Sequence, residues 1–81
     1  MEQRTSLFHQ RKQSVRKQRE EERKSLRASL ASTQAQLHQA YCGFNHTSDQ
    51  DLVESYVFEI KALQSRYDYL LRQIKELERV P

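Results

Sequence analysis

Large apolar residues recur along the second half of the chain at a fixed step. Val53, Tyr56, Ile60, Leu63, Tyr67, Leu70, Ile74 and Leu77 follow one another at intervals of three and four. This alternation is a heptad seam, the pattern of a helix that packs lengthwise against another helix. Thr47-Ser48-Asp49-Gln50-Asp51 precedes it, where Ser48 or Asp49 can cap free backbone N–H groups and the early carboxylates suit the positive end of the helix dipole. Arg79 and Pro81 close it. The pattern predicts a helix over 49–79, about 45 Å long at 1.5 Å per residue.

A weaker copy of the pattern lies upstream. Leu26, Leu30, Thr33, Leu37, Ala40 and Phe44 keep the same spacing, with Ala31, Ala35 and Tyr41 beside the stripe. Gly43 stands where helices commonly end on a left-handed residue, which predicts a helix over 26–42 and a connection over 43–48. So short a link makes the two helices antiparallel neighbours. The expected fold is all-α: an antiparallel two-helix hairpin, coiled-coil-like, able to pair into a four-helix bundle. Leu37 should face Tyr56, Leu30 should lie near Leu63, and Leu26 near Tyr67.

Upstream of Leu26 the apolar pattern fades, and residues 9–25 hold a single large aliphatic side chain, Val15. Opposite charges four apart (Arg16 with Glu20, Lys17 with Glu21, Glu20 with Lys24) still favour helix. Residues 1–25 are read as a basic helical extension, frayed at its start, in which Leu7, Phe8 and Val15 are the apolar exceptions.

Two surfaces are then left over. On this register Leu70, Leu71, Ile74 and Leu77 lie opposite the most charged part of the first helix. Phe58, Ala62, Ser65 and Tyr69 form a further stripe on the back of the second. A hairpin buries one face of each helix, and apolar surface left over on a small chain marks an association site. The expected partner is a second copy, giving a dimer, or another helical protein. The expected contacts are Phe58, Ala62, Tyr69, Leu70, Leu71, Ile74 and Leu77.

Composition supports the helical reading. Among 81 residues Gly and Pro each occur once, too few for a fold of many turns. No apolar run approaches the ~20 residues of a membrane span, and the polar start does not resemble a signal peptide. A lone cysteine, Cys42, fits a reducing compartment. These features predict a soluble cytoplasmic protein.

The net charge of +3 is unevenly placed. Residues 1–30 carry nine Lys/Arg against four Glu, and residues 31–81 carry five against seven Asp/Glu. Arg11, Lys12, Arg16, Lys17 and Arg19 are the group able to neutralise phosphates, so contact with nucleic acid is the alternative function. Glu20-Glu21-Glu22 and the lack of interleaved aromatics argue against it.

Candidate chemistry is sparse. His38, Cys42 and His46 are four apart, but His46 is expected in the loop and no second ligand pair completes a zinc site, so no metal is expected. Glu54, Glu59, Asp68, Glu76 and Glu78 flank the seam beside Arg66 and Arg72, a solvated charge ladder and not an acid–base pair. Neither a nucleophile motif nor a phosphate-binding glycine loop is present. No catalytic residue, cofactor or small-molecule substrate is assigned, and the chain is read as a non-enzyme.

The residues Phe44-Asn45, Asp49-x-x-Leu52-Val53-Glu54, Glu59-x-x-Ala62 and Arg66-Tyr67-x-Tyr69-Leu70-Leu71-x-x-x-Lys75 resemble the YaaL-like family of small bacterial proteins, the domain of unknown function 2508. The resemblance covers about residues 40–76 and leaves out the basic start. Members often carry proline after the aspartate at position 49, where this chain has Gln50. The resemblance implies a cytoplasmic helical protein of Gram-positive bacteria and implies no activity. It places Ala62 and Tyr69 within the matching motif, in agreement with a second packing surface.

Overall fold

The computed structural model describes the backbone of residues 2–79 and the side chains of residues 14–79. It contains two α-helices, α1 (Glu2–His46) and α2 (Gln50–Glu78), packed against each other as an antiparallel hairpin.

The start of α2 follows from one residue. Asp49 is extended (φ −72°, ψ 126°), and its Oδ1 accepts from the backbone N–H of Leu52 at 3.1 Å. Its carbonyl accepts from Val53 N–H at 2.9 Å, while its own N–H donates to Thr47 Oγ1 at 3.3 Å. One carboxylate and one hydroxyl thus organise a connection of three residues, 47–49, and supply donors and acceptors that a helix end otherwise leaves unmet. At the far end the Arg79 N–H closes a tightened last turn onto the Glu76 carbonyl at 3.3 Å.

Gly43 does not end α1. The helix runs through it to His46, and no glycine has a positive φ. The absent side chain serves packing instead. A Cβ built on Gly43 would lie 2.5 Å from the Tyr56 hydroxyl and ring edge, well inside van der Waals contact. Glycine costs a helix interior about 1 kcal/mol relative to alanine, and here it admits an aromatic ring from α2. The expected connection of 43–48 therefore shrinks to 47–49.

This shift resets the register. Tyr56 meets Gly43, not Leu37, a slide of six positions, or about 9 Å at 1.5 Å per residue. Farther along, Gln64 Nε2 donates to Tyr41 Oη at 2.8 Å, and Arg27 Nη2 donates to Glu78 Oε1 at 2.6 Å. These contacts put Leu30 level with Leu70 to Ile74, and Leu26 level with Ile74 to Leu77. The expected pairings of Leu30 with Leu63 and Leu26 with Tyr67 are replaced.

The core is narrow. Ala40, Ile60, Leu70 and Ile74 are its buried apolar residues among those described, and Thr33 is the buried polar one. The Thr33 hydroxyl donates to the Ser29 carbonyl one turn back at 2.9 Å, so it enters the seam with its hydrogen bond made. Leu26, Leu30, Leu37, Phe44, Val53, Tyr56, Leu63, Tyr67, Leu71 and Leu77 are half-buried around them.

Candidate interaction surfaces

The corrected register divides the expected contact residues into two groups. Leu70 and Ile74 are 8% and 5% exposed, among the most buried side chains of the hairpin. They were expected to lie uncovered opposite charged residues. They lie instead opposite Leu26 and Leu30, so they belong to the chain's own core. Leu71 and Leu77 are half-buried along the same interface.

The back of α2 remains open. Phe58 is 70% exposed and Tyr69 51%, with exposed Ala62 and Ser65 between them. Their steps of four, three and four run along the side of α2 opposite its seam. Leu52 and Val57, not singled out by the periodicity, are exposed as well. They fall off both stripes, and the high exposure of Leu52 follows from its place in the first turn of α2. Beside this stripe Arg66, Tyr69 and Leu70 meet Ser29, Ser32, Thr33 and Gln36 in an open groove of about 380 Å³ along the helix boundary.

A second surface lies at the open end of the hairpin. The seam of α1, read upstream from Leu30 and Leu26, continues at the same three- and four-residue steps through Arg23, Arg19 and Arg16. The helix thus keeps its inward face and exchanges leucine for arginine where α2 ends. Arg16, Arg19, Glu20, Arg23 and Leu77 line a recess of about 260 Å³ there. Of the basic residues singled out above, Arg16, Lys17 and Arg19 are exposed, and the side chains of Arg11 and Lys12 lie outside those described. The arginine ridge is legible as a continuation of the leucine spacing, whereas Arg11, Lys12, Arg16, Lys17 and Arg19 are neighbours in sequence that do not all share one helix face. Glu20 accepts from Arg23 at 3.0 Å, three residues away, in place of the four-residue pairings with Arg16 and Lys24.

His38, Cys42 and His46 occupy an exposed face of α1. Because the helix continues past Gly43, His46 belongs to it and not to the loop. The His46 Nδ1–H donates to the Cys42 carbonyl at 2.7 Å, and His38 Nε2 lies 3.8 Å from Cys42 Sγ. That arrangement turns the His46 ring back on its own helix. Among the described residues no group of three or more His, Cys, Asp or Glu side chains is placed to hold a metal ion.

The geometry defines a small helical-hairpin protein whose distinctive features are surfaces. No described helix is long and apolar enough to cross a membrane. The chain belongs to the family described as Protein of unknown function (DUF2508), whose sequence pattern it matches over residues 7–79. The match extends the resemblance noted above into the charged part of α1. No curated protein and no solved structure matches the chain at a significant level.

Proposed function

We propose that this protein acts by helix-to-helix association, with the outer face of α2 as its contact surface and no catalytic machinery of its own. The observation that carries the reading is Phe58, 70% exposed on a helix whose opposite face is already occupied by α1. A phenyl ring held in water forgoes apolar burial worth about 1.5–3 kcal/mol. Tyr69 and Ala62 on the same face extend the surface that a partner helix would cover. The proposed setting is the cytoplasm, in keeping with the free cysteine and the polar surface.

A photo-crosslinking amino acid placed at position 58 in the native host tests this. The expected result is protein adducts in excess of those formed from Ala35, an exposed position on α1. No excess at position 58 overturns the reading.

A second reading is favoured by the arginine ridge. Arg16, Arg19 and Arg23 line the recess at the end of α2 at a spacing suited to successive anionic groups, and a nucleic-acid backbone is the polyanion considered. Gel-shift titration with DNA and RNA across a salt series tests it. Replacing all three arginines with alanine should flatten the salt dependence by roughly 0.9 per lost phosphate contact on duplex DNA. Binding that is absent, or unchanged in the triple variant, removes it.

A further inference from the structure

The outer stripe of α2 reads the same in both directions. From Phe58 the steps are four to Ala62, three to Ser65 and four to Tyr69, and from Tyr69 they are four, three and four again. A helix face with this symmetry is complementary to itself when a second copy runs antiparallel. We infer that the occupant of this face is a second copy of the chain, docked α2 against α2 about a two-fold axis passing between Leu63 and Gln64. The inference rests on the association reading above and names its partner.

The side chains suit that axis. Phe58 of each copy comes level with Tyr69 of the other, so the two large exposed aromatics of the stripe cover one another at both ends. Offset or edge-on aromatic pairs are favoured in such positions. Ala62 of each copy comes level with Ser65 of the other, and two small residues at the centre let the helix backbones approach. A two-fold interface requires this reciprocity, since the same patch must serve on both sides.

Charge sets the direction. In the antiparallel arrangement Asp51 and Glu54 of one copy come level with residues 73–76 of the other, a stretch where Arg72, Lys75 and Arg79 outnumber Glu76 and Glu78. In a parallel, in-register pair Asp51 would meet Asp51 and Arg72 would meet Arg72. Like charges placed together disfavour that pairing, and complementary ones fix orientation more than they add affinity.

Two hairpins packed through α2 would form a four-helix layer in which Phe58 and Tyr69 become interior residues.

Sedimentation equilibrium of the full chain between 1 and 100 µM gives the first readout. A dimer is expected, and Phe58→Glu is expected to be monomeric at 100 µM with unchanged helicity by circular dichroism. Asp51→Arg and Arg72→Asp should each weaken the dimer about two- to five-fold, and the double variant should recover it. A spin label on Ser55→Cys, in a Cys42→Ser background, reports direction. The antiparallel pair places the two labels roughly 17 residues apart along the axis, about 25 Å, while a parallel pair brings them within about 10 Å.

A wild-type monomer at 100 µM, a dimer that survives Phe58→Glu, or the short label distance overturns the inference. Adducts from position 58 that contain a different protein would leave the association reading standing and remove the second copy as its partner.

Discussion

Gly43 is the residue where local preference and packing oppose each other. In isolation an alanine there would favour helix by about 1 kcal/mol. In the hairpin its Cβ would meet the Tyr56 ring, and overpacking of that kind costs about 1–3 kcal/mol. Gly43→Ala is therefore expected to lower the thermal midpoint in the wild-type background and to raise it in a Tyr56→Ala background. A four-protein thermal-melting cycle checks the reversal, and a same-sign effect in both backgrounds would contradict the role assigned to the ring. Thr33 offers a converse case. Its hydroxyl bonds to the carbonyl of Ser29 within its own helix, so Thr33→Val leaves no orphaned partner. That substitution should be neutral or stabilising by up to about 1 kcal/mol, read from denaturant midpoints.

Between the two helices the same logic separates residues by which side of α2 they occupy. Ile74→Ala and Leu70→Ala remove buried side chains and should each cost about 2–5 kcal/mol, enough to unfold much of a hairpin this thin by circular dichroism. Asp49→Ala removes the cap on Leu52 and should cost about 1 kcal/mol, seen as fraying of the first turn of α2 in amide exchange. By contrast Arg27→Ala should shift the midpoint little, since both partners of the Glu78 ion pair are substantially exposed.

The element scale also shows what the amino-acid pattern could and could not reveal. The heptad in 53–77 and the fainter one in 26–44 were enough to define two helices and their inward residues, because apolar spacing reports the face directly, and the short link between them supplied the antiparallel sense. Register was not legible, because a heptad slid by one repeat looks the same to itself. The tie was broken by a close approach at Gly43 that only a facing ring explains. Reading Gly43 as a terminator moved the helix end by four residues and mispaired every seam residue after it. It also made Leu70 and Ile74 look uncovered, whereas the Phe58 stripe, judged from one helix alone, is exposed as expected.

At the scale of the whole molecule, charge is unevenly spread along α1. Residues 28–48 contain no Asp, Glu, Lys or Arg, so the α1 side of the closed end is neutral while the open end carries the arginine ridge. Adding salt should therefore leave hairpin stability nearly unchanged while altering any contact made by Arg16, Arg19 and Arg23. Thermal melts at 0.05 and 1 M sodium chloride check the first half of that statement, and a large shift would mean that ion pairs carry more of the fold than its core does.

The three-residue connection also has a consequence in time. Gly43 and Tyr56 are joined through about a dozen residues, a closure of the kind completed in roughly 10–100 ns, whereas Arg27 and Glu78 are 51 residues apart. The hairpin should therefore zip from its turn, with the aromatic ring of Tyr56 seated before the far leucines find each other. In stopped-flow or temperature-jump measurements, Tyr56→Ala would then slow folding, and Ile74→Ala would mainly hasten unfolding. The glycine that lets two helices touch would also mark where the chain first recognises itself.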